Sequence, residues 1–179
     1  MAKGLNLTGN TITAKDDAFL YHLLSGNNGI FKYGNKMECQ TISSNVIRIK
    51  DGMAQIQGRN YIIYPSETVD VLIESGTQGD KRYDLIVLEF SKEASNESMN
   101  IKCIKGTPST GNPSDPEVVQ QDTLASGITF QLPLYRVKLN GINIEGVDDL
   151  RTYINNLNNA PQVVDVTDEY VEMEINFDE

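Results

Sequence analysis

Apolar residues recur along this chain with two different periods. Over 14–25 they crowd a helical stretch on more than one side: Ala18, Phe19, Leu20, Tyr21, Leu23 and Leu24. Thr13 and Asp16 stand at capping-box spacing, with Asp in place of the usual Glu or Gln, and Gly26 is placed to end the helix. A short helix this apolar is expected to pack on something large. Beyond it the period drops to two. Residues 46–50 alternate, Asp51-Gly52 is a tight-turn pair, and 53–57 alternate again, which predicts a hairpin broken at Gly58. Residues 61–64 read as a strand stopped by Pro65, and 69–74 as another.

Residues 85–88 are apolar without a break, which predicts a central strand covered on both faces. A polar loop leads to the strand "MNIKCIK", and the Pro- and Gly-rich 106–116 reads as a long surface loop. "ITFQLPLYRVKLN" predicts two short strands bent at Pro133, then a turn at Asn140-Gly141. Leu150, Tyr153, Ile154 and Leu157 fall at i, i+3, i+4 and i+7, the spacing of a compact helix that Pro161 would stop. The last residues alternate once more, with Val171, Met173, Ile175 and Phe177 on one side and Glu172, Glu174, Asn176 and Asp178 on the other.

The predicted class is mainly β: an antiparallel sandwich or barrel-like domain with an N-terminal helix, a short late helix and a C-terminal strand arm. The expected division is a helical segment over 1–35 that can serve for docking, a β-rich core over 36–160, and an acidic arm over 161–179.

Charge narrows the partners. The 179 residues carry 25 acidic and 15 basic side chains, a net charge of −10. Seven of the acids fall in 165–179, where there is no Lys or Arg. Phosphate backbones and anionic bilayers both call for a positive surface, so neither nucleic acid nor membrane is an expected partner. No apolar run reaches transmembrane length and none follows Met1 as an export signal would, so synthesis and initial residence in the cytoplasm are expected. Cys39 and Cys103 are far apart in sequence and are expected as reduced thiols facing the core.

Catalytic constellations are scarce. His22, the one histidine, sits in the apolar helix, and with Cys39 and Cys103 it shows no zinc-ligand spacing. The carboxylate pairs Asp16-Asp17 and Asp148-Asp149 lie at predicted helix starts, and Asp168-Glu169 in the acidic tail. The loop with Asp115 and Glu117, or the acidic tail, could serve a weak Ca²⁺ site, without the spacing of an EF-hand. No metal, cofactor or enzymatic activity is expected. Arg82 and Asp84, two apart on a predicted strand, point the same way and are expected to pair with each other or to cap loop carbonyls. Asp149 and Arg151 offer a second such pair, and a cross-link between the two pairs is expected.

The order of these stretches resembles that of baseplate and tail-fibre-associated structural proteins of tailed phages and prophages, chiefly of Gram-positive hosts. The resemblance rests on an early helix, "VIRIKDGMAQIQGRNYIIY", "GDKRYDLIVLEFSKE", "KGTPS", "LPLYRVKLNG" and "DDLR", and spans about 11–152. The matching positions include Gly52, Ala54, Ile56, Gly58, Arg59 and Tyr61, then Arg82 and Asp84. Further on they include Gly106, Thr107, Pro108, Leu132, Pro133, Leu134 and Val137, and finally Asp149 and Arg151. It implies a non-enzymatic virion component of the tail end, in a homo-oligomer or multi-copy assembly with other tail, baseplate or fibre proteins. Larger members continue into fibre or receptor-binding segments, whereas this chain stops soon after "DDLR", which favours a connector.

The terminal strand then has two readings: packing within its own domain, or docking by strand addition through Val171, Met173, Ile175 and Phe177. A second functional class is a carbohydrate-binding sandwich touching the host surface, with Tyr33, Tyr61, Tyr64 and Tyr135 as its candidate aromatics.

Overall fold

Helix α1 (Ala14–Ser25) begins where its sequence signals it. Asp16 N–H donates to Thr13 Oγ1 (3.3 Å), and the Asp16 carboxylate accepts from Thr13 N–H (2.9 Å). Gly26, left-handed at φ 72°, closes the other end by donating its N–H to the His22 carbonyl. The computed structural model describes residues 9, 11–94, 96–154, 162–166 and 171–174. Among these, α1 is followed by β1 (Gly29–Phe31), β2 (Cys39–Ser43), β3 (Val46–Ile49), β4 (Gly52–Ile56), β5 (Arg59–Ile63) and β6 (Val69–Leu72). Then come β7 (Lys81–Glu93), β8 (Asn96–Ile104), β9 (Thr129–Asn140), β10 (Asn143–Asp149), β11 (Tyr153–Ile154), β12 (Gln162–Val166) and β13 (Val171–Glu174).

Three sheets share one core. Their strand orders are β11-β1-β4-β5, β2-β3-β6 and β10-β9-β7-β8. All pairings are antiparallel except β1 with β11. Ile30, Ala54 and Ile56 from the first sheet, Ile47 and Val71 from the second, and Ile86, Leu88 and Leu134 from the third pack into a single apolar cluster. The fold is thus mainly β and sandwich-like, with no sheet closed into a barrel. All four residues of 85–88 are buried; successive side chains alternate faces, so β7 is covered on both, as its unbroken apolar run predicts.

Several local expectations fail, each for a physical reason. Asp51-Gly52 is not a hairpin turn. β3 pairs with β2 and β6, β4 with β1 and β5, and the dipeptide carries the chain from one sheet to another. Its carboxylate accepts from Asn35 Nδ2 (2.5 Å) and its carbonyl from Met37 N–H (3.1 Å), which turns it toward the 33–38 loop. The polar stretch after Phe90 is no loop: β7 and β8 stay paired out to Glu93↔Asn96, helped by the Ser91–Ser98 hydroxyl pair at 2.9 Å. Pro133 does not divide its strand. It sits within β9 beside a bulge, beyond the last register pair with β10 (Asp149↔Tyr135), where its missing N–H leaves little unmade.

The late helix is absent from its described part. Residues 143–149 form β10, and Tyr153 and Ile154 pair in parallel with Ile30 and Phe31. Leu157 lies outside the described residues. β1, within the 1–35 segment, is bonded into the sheet of β4 and β11. The C-terminal strand is one arm of a hairpin: β13 pairs with β12, with Val163 opposite Met173 and Val166 opposite Val171. Ile175 and Phe177 lie outside the described residues.

α1 rests on the β4–β5 turn. Gln57 and Gly58 both have positive φ (45° and 79°), and a Cβ on Gly58 would lie 1.6 Å from the Ala18 carbonyl oxygen. Buried Gln55 donates from Nε2 to Ser25 Oγ and to the Asn27 carbonyl (3.2 Å), holding the helix's far end. Gly79 is also left-handed (φ 90°), with nothing within 4 Å of a Cβ. Gly79→Ala should therefore cost about 1–2 kcal/mol of backbone strain in urea unfolding. Gly58→Ala should cost clearly more and raise hydrogen exchange along α1; equal losses, with α1 exchange unchanged, would contradict this docking.

Candidate functional site

Arg82 and Asp84 occupy one face of β7 and are 3% and 0% exposed. The guanidinium grips the carboxylate with two bonds, Nε to Oδ1 at 2.7 Å and Nη2 to Oδ2 at 2.9 Å. The same Nη2 donates to the Glu74 carbonyl (2.6 Å), and Gly106 N–H donates to Asp84 Oδ1 (2.9 Å). The pair thereby fastens the segment before β7 and the loop after β8 to one strand end. Only glycine fits at 106, because a Cβ there would lie 1.9 Å from the Tyr83 carbonyl oxygen.

Asp149 and Arg151 repeat the device in the opposite chain order. Arg151 donates from Nε (2.9 Å) and Nη2 (2.6 Å) to Asp149, and from Nη1 to the Lys36 carbonyl (2.7 Å). Its guanidinium lies over the rings of Tyr135 and Tyr153, at 5.1 and 5.5 Å. Lys36 and Met37 are both left-handed (φ 55°), and the Met37 carbonyl accepts from the buried Tyr135 hydroxyl (2.9 Å). The expected cross-link between the two pairs is not formed among the described residues: each arginine reaches a different loop.

The other candidates are dispersed or already engaged. Cys39 and Cys103 are free and half-buried. Burial raises both thiols, Cys103 to about 12, which keeps them protonated. Asp16 belongs to the helix cap, and Asp148 pairs with Lys138 (2.6 Å) and Arg136 (3.3 Å). Asp115 also grips Arg136, through Nε (2.6 Å) and Nη2. Asp168 and Glu169 lie outside the described residues. Among the described residues no group of three or more His, Cys, Asp or Glu is placed to hold a metal. Also among them, no helix is long and apolar enough to cross a membrane. Of the four tyrosines proposed for sugar binding, Tyr135 is buried and Tyr61 packs partly against the core, while Tyr33 and Tyr64 are exposed.

One surface stands out: the sequence reading expected the apolar sides of α1 to pack on something large, and most of them face solvent. On α1 only Ala18 is buried, at 2% exposure. Leu23 and Leu24 are each 66% exposed, and Phe19 and Tyr21 are exposed beside them. Phe19 and Leu23 are four apart and Tyr21 and Leu24 three apart, so each pair is adjacent on the helix surface, the two pairs on different sides of the exposed half. The signal was present as apolar residues on more sides than one contact can cover.

A scan against protein-family models found no match, and a search of curated proteins found no significant match.

The half-exposed pair gives a test by pH. Hydrogen bonding from Arg151 holds the Asp149 carboxyl below the usual carboxylate range. Its contribution is therefore complete above the unfolded value of about 3.9 and is lost as pH falls through the lower folded value. Asp149→Asn should unfold at lower urea than wild type at neutral pH, and the gap should narrow as pH drops below about 4. A gap that holds constant into strong acid would contradict the assignment.

Proposed function

We propose that this chain is a non-enzymatic structural component of a phage or phage-like tail end, a baseplate part or fibre connector working through subunit contacts. The outward face of α1 carries this reading. Lone soluble domains seldom leave large apolar side chains clustered in water, and such clusters mark interaction sites. Phe, Tyr and Leu side chains held on a capped, docked helix suit a protein interface, where aromatic residues are enriched. A lipid surface fits poorly, since interfacial helices carry basic polar faces and α1 has one Lys against two Asp.

Two further features support the same reading. Arg82, Asp84, Gly58, Gly106, Asp149 and Arg151, positions on which the tail-protein resemblance rests, all act on the fold itself. The β12–β13 hairpin forms a two-stranded sheet of its own, a shape suited to strand addition on a neighbouring subunit. Assembly would place the protein in the virion after synthesis in the bacterial cytoplasm.

Light scattering on the purified chain, alone and mixed with the proteins encoded beside it, tests this. A mass above the 19.9 kDa protomer is expected in at least one mixture. The Leu23→Ser, Leu24→Ser double variant should return it to the protomer, with the circular dichroism spectrum unchanged. A monomer under every condition, or assembly indifferent to the two substitutions, would overturn the proposal.

A further inference from the structure

A groove of about 600 Å³ opens beside the end of α1, lined from there and from β9, β11 and the loop before β9. That lies within the range of small-molecule sites, roughly 300–1,000 Å³. None of its lining residues is charged, in a chain where 22% are. Phe130, Leu132, Pro133 and Leu150 supply apolar lining, and Tyr153 an exposed ring. Asn27, Asn28, Gln120 and Thr152 supply the polar part.

The backbone around the groove is already paired. Leu150 N–H donates to the Leu134 carbonyl (3.0 Å), Ile30 N–H to Thr152 (2.8 Å) and Gln131 N–H to Val119 (2.7 Å). A peptide seeking to add a strand meets no open ladder at these positions. Side-chain amides remain, and two of them are oriented. Asn28 Oδ1 is held by Gln57 N–H at 2.7 Å, which leaves its Nδ2 hydrogens to donate. Gln120 Nε2 is held by the Gln131 carbonyl at 3.2 Å, which leaves its Oε1 to accept. The Asn27 side chain, exposed at the same rim, makes no hydrogen bond among the described residues.

We infer that this groove binds a neutral saccharide. Sugar hydroxyls both donate and accept, and so match a fixed donor beside a fixed acceptor. A pyranose ring also presents an apolar C–H face, which the Phe130–Pro133 side of the lining and the Tyr153 ring can cover. The uncharged lining disfavours phosphates, uronates and other ions, since the nearby Arg151 guanidinium over the Tyr153 ring is already paired with Asp149. None of Tyr33, Tyr61, Tyr64 and Tyr135 lines the groove, so this site is distinct from the aromatic set read from the sequence. It is also separate from the apolar α1 face and goes beyond the assembly reading.

Titration of the ¹⁵N-labelled full chain tests the inference. The probes are neutral oligomers of glucose, galactose and N-acetylglucosamine, with oligoglucuronate and an uncharged peptide as contrasts. A neutral sugar should shift the signals of Asn27, Asn28, Gln120 and Tyr153. Asn27→Ala and Gln120→Ala should each weaken binding about three- to tenfold, the loss expected for one hydrogen bond between neutral groups. The Leu23→Ser, Leu24→Ser variant should bind sugar as wild type does. The inference is overturned if no neutral probe shifts these signals, if the shifts fall elsewhere, or if only the uronate or the peptide produces them. Should a variant fail to fold, the wild-type titration alone decides.

Discussion

A guanidinium and a carboxylate sealed from water at the start of β7 determine how the rest of the chain can be arranged. Removing two charges from water costs several kcal/mol per ion, and their attraction offsets this only when geometry is good and every remaining polar atom is bonded. Arg82 and Asp84 make two bonds to each other, one to the Glu74 carbonyl and one from Gly106 N–H, which engage both carboxylate oxygens and the guanidinium Nε and Nη2. The strand they anchor is bonded on one side to β8 and on the other to β9, and it feeds Ile86, Leu88 and Phe90 into the core. The exits at 74 and 106 are fixed by the same four bonds. Asp149 and Arg151 impose a like constraint on the 33–38 loop, nearer solvent and so with a smaller desolvation penalty.

This arrangement bears on function by what it leaves over. The Arg82–Asp84 and Asp149–Arg151 pairs are committed to closing loops, and burial raises the two thiols and favours their protonated form. Among the described residues, the features left over include an apolar helix face and an uncharged groove, the two surfaces on which the proposals rest. Both are stationed by one junction. Gly58 admits the helix backbone, Gln55 holds its far end, and Asn28, fixed by Gln57, borders the groove. The turn that seats the exposed helix face therefore also orients one of the amides of the proposed sugar groove.

What could be read in advance was local. The cap at Thr13, the stop at Gly26 and the buried centre of β7 each depend on residues a few positions apart, and each is written in spacing. So was the pairing of Arg82 with Asp84, since residues two apart on a strand share a face. Contacts between distant segments were hidden. Tyr153 and Ile154 carry a helical period, but parallel pairing with β1, more than a hundred residues earlier, outweighs it. Asp51-Gly52 has the composition of a hairpin turn; the partners of β3 and β4 are set instead by β2, β5 and β6. The groove left no trace in sequence, because its amides come from 27–28 and 120 and its ring from 153. The α1 residues were visible as a set that had to pack on something large; that most of them face solvent was not.

The most direct test of the central constraint is the equilibrium unfolding of Arg82→Ala. Removing the guanidinium leaves Asp84 buried without its counter-charge and the Glu74 carbonyl without its donor. The account predicts a loss of about 3–5 kcal/mol, with faster hydrogen exchange at Gly106. An unchanged melting temperature, with Gly106 as protected as before, would contradict it.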